Sequence, residues 1–433
     1  MQIILLSGSD FGIGRGLHIA KILESQGASL IIIMNEPIYQ YASEIGEEER
    51  KFKVRILRFK LPFARVLHFS ILGRLIFYIF FMFLTFIKSL RFINYVDVIY
   101  SRGPHPFTDI VSILLKKIKK KVNVISDVTD LWPESLFFME RSSYVRILVK
   151  MGMVVNRWVY SKVDAIITHN YPFKKYIGRV YLSGRTSIPI VVIPHLIDLS
   201  EFRPMSKNEA LSRLECVWKI APELKEKLRN RTVLGYAGLI SKTIGSDVLL
   251  RLFEELKDDD RFIFFIVGEG PLKQEMIRIV KSRNINNVII AGPFPHNLMN
   301  YVINIFDIAL ITSFQDARHF STRYCLPKKF VEYSACGKPI IYIGPSRVLF
   351  HYIKKYNSGY VIENIHDLSI KDAFYKTYIN ICEFAENSRK MACCFSYDLA
   401  RKKLSELLLR LANADQAKRG CCTNINNTKT DIF

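Results

Sequence analysis

A chain of 433 residues is too long for one ordinary hydrophobic core, and 49% hydrophobic residues supply ample material for burial, which excludes a disordered protein and makes two domains the default. Its 62 basic against 40 acidic residues give a formal net charge of +22 and point to a polyanionic partner, nucleic acid or an anionic membrane surface. No zinc finger, RNA-recognition signature or basic zipper is present, and the basic residues are interleaved with long apolar runs, so the membrane is favoured and nucleic acid is not expected.

Met1 to Leu6 lacks a basic leader and runs straight into a glycine-rich loop, so it reads as a first strand and not as a signal peptide. Ile3 to Ser7 is that strand, Gly8 to Gly16 the loop, Leu17 to Gln26 an amphipathic helix ended by Gly27, and Leu30 to Ile33 the second strand. Gly12-Ile13-Gly14-Arg15-Gly16 therefore opens a helix after a strand, the context in which backbone amides approach a phosphate or a sugar. Its spacing is not the dinucleotide fingerprint, so a nicotinamide cofactor is not expected.

Residues 61–91 form an apolar segment centred on Leu75 to Ile87, thirteen uncharged and strongly aromatic residues flanked by Arg74, Lys88 and Arg91. As a helix this core reaches roughly 20 Å, short of the ~30 Å hydrocarbon layer, which predicts a helix lying in one leaflet and not a span. The other reading is a buried helix of the first domain. Lys116, Lys117, Lys119, Lys120 and Lys121 add a basic patch.

Val96 to Tyr100, Val122 to Ser126, Ala165 to Thr168 and Val191 to Ile193 read as later strands of the same parallel sheet, giving a first domain over 1–197. Residues 198–230 read as a charged helical connection. A second series over 231–394 has strands at Val233 to Tyr236, Phe262 to Val267, Val288 to Ala291, Ile308 to Ile311 and Ile340 to Ile343. A basic amphipathic helix lies within 395–411, and 412–433 reads as a disordered tail. The eight cysteines, with adjacent pairs at Cys393-Cys394 and Cys421-Cys422, lack metal-ligand spacing and read as reduced thiols of a cytoplasmic protein, with no metal site.

The chemistry concentrates in Leu326-Pro327-Lys328-Lys329-Phe330-Val331-Glu332-Tyr333, followed by Gly337-Lys338-Pro339 and a strand. Lys329 and Glu332 are three apart and share a helix face. A cation suits phosphate and a carboxylate suits sugar hydroxyls, so together they fit a sugar nucleotide better than an arbitrary metabolite. Val267-Gly268-Glu269-Gly270-Pro271 closes a strand and starts a helix about sixty residues earlier, with Ala291-Gly292-Pro293-Phe294 between.

Together these segments resemble family 4 glycosyltransferases, retaining enzymes of the GT-B architecture, in which two Rossmann-like α/β domains face a cleft and the last helix crosses back to the first domain. Asp127-Val128-Thr129-Asp130-Leu131-Trp132-Pro133-Glu134 is similar to a segment of bacterial members that build surface polysaccharide and lipopolysaccharide. The resemblance implies a sugar moved from a nucleotide-sugar donor, with no cofactor, to a lipid-linked or membrane-proximal saccharide acceptor. The enzyme would sit peripherally (monotopic) on the inner face of the cell membrane, in cell-surface polysaccharide assembly.

By the same resemblance Gly14, Gly238, Lys242, Gly268, Glu269, Gly270, Lys329 and Glu332 bind the donor, and Gly12, Asp130 and Trp132 bind the acceptor. Asp130, His105 and Lys329 are the catalytic candidates, His105 lying in Ser101-Arg102-Gly103-Pro104-His105-Pro106. The chain departs from the family in three places. Leu239 and Ile244 stand where an arginine and a lysine clamp the pyrophosphate, leaving Lys242 as the cation of that loop. Tyr324 stands where the first of two paired glutamates falls, with Asp316, Arg318 and His319 the candidates to replace it. Pro194-His195-Leu196-Ile197-Asp198 keeps only the outer residues of the family's turn before the linker. A nucleotide-sugar epimerase of the same architecture and a non-catalytic scaffold of a polysaccharide assembly complex are the alternatives.

Overall fold

The structure is a computed structural model describing residues 1–7, 14–35, 54–59, 71–103, 106–138, 143–184, 187–216, 218, 221–313, 320–363 and 370–426. The chain divides into two compact units, Met1–Pro194 with Tyr397–Phe433, and His195–Ser396.

The first unit begins with β1 (Gln2–Ser7), α1 (Gly14–Ser25), β2 (Ser29–Asn35) and β3 (Arg55–Phe59). α2 (Ile71–Leu90), β4 (Val98–Arg102), α3 (Phe107–Ile118), β5 (Asn123–Val128), α4 (Ser143–Tyr160), β6 (Ala165–Thr168), α5 (Tyr171–Tyr176) and β7 (Ile190–Val192) follow. All seven strands are parallel, in the order β3-β2-β1-β4-β5-β6-β7. The order reverses between β1 and β4, and at such a switch point the loops leaving the two strands diverge to leave a crevice for ligand. β1, β4 and β5 are buried nearly end to end, as strands covered on both faces must be.

The second unit runs through α6 (Lys207–Glu215), α7 (Pro222–Asn230), β8 (Thr232–Ala237), α8 (Ser246–Glu255), β9 (Phe262–Val267), α9 (Lys273–Ser282) and β10 (Val288–Ala291). It continues with α10 (Met299–Ile305), β11 (Ile308–Thr312), α11 (Phe320–Arg323), α12 (Lys328–Ala335), β12 (Ile340–Ile343), α13 (Arg347–Tyr356), β13 (Gly359–Ile362), α14 (Ile370–Ile379) and α15 (Ile381–Ala392). Its six parallel strands lie in the order β10-β9-β8-β11-β12-β13, with the reversal between β8 and β11. Two apolar clusters cover its two faces, one around Phe306, Phe330 and Phe395, the other around Phe253, Phe264 and Phe374. α6 and α7 belong to this unit: Leu211, Leu214 and Leu228 are fully buried in the first cluster. Residues 198–230 are thus part of the second domain and not a connection, because the apolar face of this charged stretch finds a sheet to cover.

α16 (Tyr397–Asn426) returns the chain to the first unit. Tyr397 hydrogen-bonds His18 of α1, the Gln26 amide donates to Ser405 Oγ at 2.5 Å, and Lys403 Nζ donates to the Val192 carbonyl at 2.7 Å. The helix continues to Asn426, well past Ala412, where order was expected to end. α2 also outruns its apolar core by four residues at its start and three at its end, since a helix terminus tolerates charge and small residues that a hydropathy window rejects.

Candidate functional site

In the second unit Gly238 lies at the carboxyl end of β8 and Gly268, Glu269 and Gly270 at that of β9, and α12 brings Lys329 beside them. Three glycines make this possible. A Cβ on Gly268 would stand 1.8 Å from the Gly238 carbonyl oxygen, and one on Gly270, where φ is 155°, 2.2 Å from the Ile240 oxygen. Because no side chain intervenes, the two turns lock by backbone bonds, Gly238 N to Val267 O at 2.9 Å and Ile240 N to Glu269 O at 2.8 Å. Gly238 itself has φ 145°, and its missing Cβ would lie 2.7 Å from Lys329 Nζ.

α12 delivers Lys329 to this point. Its ammonium lies 3.8 Å from the centroid of the Tyr236 ring and beside Gly238, at the β8/β11 switch point. Tyr333, one turn on, fixes the helix against the strand: its hydroxyl accepts from Ala237 N at 2.7 Å and donates to Ala237 O at 3.3 Å. Burial lowers Lys329 to about 7, against some support from the Glu332 charge. A lysine so poised takes up a proton readily when a negative ligand arrives.

Glu332 is buried, and its partners differ from those the spacing suggested. Its Oε1 lies 3.0 Å from His296 Nε2 and 3.4 Å from Lys328 Nζ. Although burial opposes ionisation, Lys328 and His296 outweigh it and hold the carboxyl down at about 2, so it is a carboxylate throughout the physiological range. Lys329 and Glu332 therefore flank the same helix turn but face different neighbours. His296 and Lys328 were missed by sequence reasoning. The i,i+4 spacing of Lys328 and Glu332 was an available signal, whereas His296 comes from a loop 36 residues away.

The remaining donor candidates fare differently. Glu269 turns back on its own helix, bonding Lys273 Nζ at 3.0 Å, which lowers its pKa, while Lys273 also donates to Gly292 O at 2.6 Å. Lys242 is exposed and lines a pocket with Ser246, Asp247, Leu250, Leu272, Glu275 and Met276, a set that contains none of the other donor candidates. Leu239 is 54% exposed, and Ile244 packs into the domain core. Asp316, Arg318 and His319 lie outside the described residues, as do Gly12 and His105.

In the first unit, a buried polar group occupies the β1/β4 switch point. Asp127 Oδ2 accepts from Arg15 Nε at 2.8 Å and from the Tyr100 hydroxyl at 2.8 Å, and Arg15 also donates to the Ile193 and Pro194 carbonyls at 2.9 and 2.5 Å. Arg102 is buried beside them, and burial lowers its pKa; Gly16 leaves room for it, with a would-be Cβ 3.6 Å from its guanidinium. Burial also drives His169 down to about 3, so its ring is neutral, and raises Asp109 to about 7.

Asp130, three residues beyond Asp127, is partly buried. Desolvation raises its carboxyl, with the Glu134 charge adding to the effect. Trp132 sits 6.3 Å from the Phe107 ring, and its carbonyl accepts from the Asn156 amide of α4. Gly14 begins α1, with nothing within 4 Å of a would-be Cβ. Arg15, Arg102, Asp127 and His169 were not singled out from sequence, because a buried charge network has no linear spacing to betray it.

Residues 220–386 match the family described as "Glycosyl transferases group 1". No curated protein matches the chain. Among solved structures it is similar to sucrose-phosphate synthase (tll1590) from Thermosynechococcus elongatus, with a TM-score of 0.66 and 14% identity over 96% of this chain and 100% of that one. It is similar also to Anabaena Alr3699/HepE in complex with UDP, with a TM-score of 0.67 and 14% identity over 95% and 100%, a protein also solved with UDP-glucose. A third is alpha,alpha-trehalose 6-phosphate synthase from Burkholderia multivorans, with a TM-score of 0.64 and 12% identity over 95% and 99%. The protein thus has the GT-B fold, two parallel-sheet Rossmann-like domains, and its second domain carries the match to glycosyl transferases group 1.

Proposed function

We propose that the protein is a retaining glycosyltransferase that moves a sugar from a nucleotide-sugar donor to a lipid-linked or membrane-proximal saccharide in cell-surface polysaccharide assembly. The observation that carries this reading is Lys329 held against the glycine turn at Gly238, with the ionised Glu332 on the same helix. The donor diphosphate would lie over Gly238, where the missing Cβ admits it. Lys329 and the amino end of α12 would stabilise the charge that develops on the leaving diphosphate. Glu332, oriented by His296 and Lys328, would accept hydrogen bonds from the ribose hydroxyls. Asp130 and Trp132 would meet the acceptor in the first domain. Asp130's raised pKa suits proton exchange with a sugar hydroxyl.

The UDP and UDP-glucose of the HepE structures support UDP-sugars as the first donors to try. Nucleoside diphosphate release by membrane-reconstituted protein is the test, screened over UDP-, GDP- and dTDP-sugars with lipid-phosphate and lipid-linked saccharide acceptors. Acceptor-dependent release that Glu332→Ala abolishes supports transfer. A second reading, a non-catalytic scaffold, draws on the exposed Leu239 where the resembled family has a phosphate-clamping arginine. Donor binding without release under any acceptor would favour it.

A further inference from the structure

α2 and α4 carry apolar side chains on their outer sides as well as on their inner ones, with α3 packed between them. α2 buries Gly73, Phe77, Phe81, Thr85 and Ser89, one every fourth residue, while Ile79, Phe80 and Phe83 on its outer side are 47%, 57% and 59% exposed. Its inner side mixes the Phe77 and Phe81 rings with two hydroxyls, Ser89 Oγ bonding the Thr85 carbonyl at 2.7 Å, while its outer side carries two further phenyl rings and Ile79. Water as the outer medium would select polar side chains on that outer side.

α4 repeats the pattern. Val145, Val149, Gly152 and Asn156 face inward, whereas Ile147, Met151, Val154 and Trp158 are 41–67% exposed and follow one another at spacings of three and four, a continuous outer stripe. α3 packs against both helices and adds the exposed Ile118. Tyr78 of α2 stacks on Phe107 of α3 at 5.7 Å. The connections β3 to β4, β4 to β5 and β5 to β6 run the same way along the sheet, and right-handed crossovers lay all three helices on one face.

Among the described residues of these three helices, the exposed charge has one sign. α2 and α4 contain no Asp or Glu, and the single acid of α3, Asp109, is buried. Arg91, Lys117 and Lys120 are exposed at the helix ends. On α4, a turn of about 100° per residue brings Arg146, Lys150 and Arg157 together along one shoulder of the apolar stripe. Apolar side chains at the acyl boundary with cations at the phosphates is how an in-plane helix holds an anionic bilayer.

We propose that the α2–α3–α4 face docks on an anionic lipid bilayer, in the plane of the interface, with α4 contributing as much as α2. No helix among the described residues is long and apolar enough to cross a membrane, and α2 is fixed to the sheet along its inner side. The inference rests on the reading above only for its purpose, since a lipid-linked acceptor is met at that surface; attachment itself needs no turnover.

The test is flotation of the full chain with phosphatidylcholine vesicles, with and without phosphatidylglycerol. Binding is expected to require phosphatidylglycerol, to weaken with salt, and to fall at least about tenfold in Ile147→Glu/Val154→Glu and likewise in Phe80→Glu/Phe83→Glu. The milder Ile147→Ser/Val154→Ser pair, checked by an unchanged thermal midpoint, guards against misfolding. Folded variants that float like wild type would overturn the proposal. So would wild type that ignores the vesicles while associating with itself as concentration rises, which would assign the face to a second copy. Docking without release from any donor refutes the transferase reading alone, and release from a soluble acceptor without docking refutes this inference alone.

Discussion

Lys329 makes donor binding a proton-coupled event. Its pKa is about 7 in the free protein, against 10.5 for an ordinary lysine, so at neutral pH about half the molecules carry a neutral amine there. A diphosphate beside Gly238 restores the charge, so the bound state takes up a proton. Affinity then weakens in proportion to 1 + 10^(pH − 7), which amounts to about sixteenfold between pH 7 and pH 8.5. A nucleotide sugar is the ligand to use, because its phosphates do not titrate in this range as the terminal phosphate of a free diphosphate does. Calorimetry at both pH values, in buffers of different ionisation enthalpy, reads the Kd and the proton together. Lys329→Arg, which keeps its charge, is expected to flatten the profile; Lys329→Met is expected to lose affinity and pH dependence alike. The free protein gives an independent sign. Between pH 7 and 10.5 the unfolded chain binds the proton that the native chain refuses, so stability rises with pH across that window and Lys329→Met removes the slope. A wild-type Kd that stays constant from pH 7 to 8.5 would refute the placement of the diphosphate against this lysine.

Three further outcomes follow from the geometry. Gly268→Ala puts a Cβ 1.8 Å from the Gly238 oxygen and is expected to lower the stability of the second domain by about 2–4 kcal/mol and to abolish nucleotide binding, whereas Gly14→Ala, with nothing within 4 Å, leaves thermal unfolding unchanged. Asp109 is raised by burial to about 7, so the native state holds a proton that the unfolded state releases between pH 4 and 7, and stability falls as pH rises through that window. Asp109→Asn is therefore expected to stabilise the protein at pH 8 in urea titrations and to make no difference at pH 4. Arg15→Met strands the buried Asp127 carboxylate and is expected to cost about 3–5 kcal/mol, read as early unfolding of the first domain.

Much of the architecture was legible because buried parallel strands are short apolar runs bounded by glycine and polar turns. Phe262–Val267, Val288–Ala291 and Ile340–Ile343 were read to the residue. β3 was not read, since Arg55 and Arg58 interrupt it at the sheet edge, where one side of a strand meets water. β13, the other edge strand, escaped because it offers only Tyr360, Val361 and Ile362 after Gly359, too short an apolar run to stand out. At the site, Lys329, Glu332 and the glycine turns were visible as local spacings, whereas His296 and the Arg15–Asp127 pair join residues 36 and 112 positions apart. The outer stripe of α4 was hidden by its periodicity. Its inner face is small and aliphatic and its outer face large and apolar, so a helical period fits either as the core side.

The return of α16 to the first domain gives this chain an order of assembly. The second domain is in effect an insertion, and the helix that covers α1 through Tyr397 and Ser405 is made after it. At ~5–20 residues per second, synthesis of everything between Pro194 and Tyr397 is a delay of about 10–40 s. The first sheet leaves the ribosome early yet waits for its last helix, with the flank that α16 will seal still open. The domain begun first is completed second, and a chain that breaks off before α16 loses the finishing piece of its beginning.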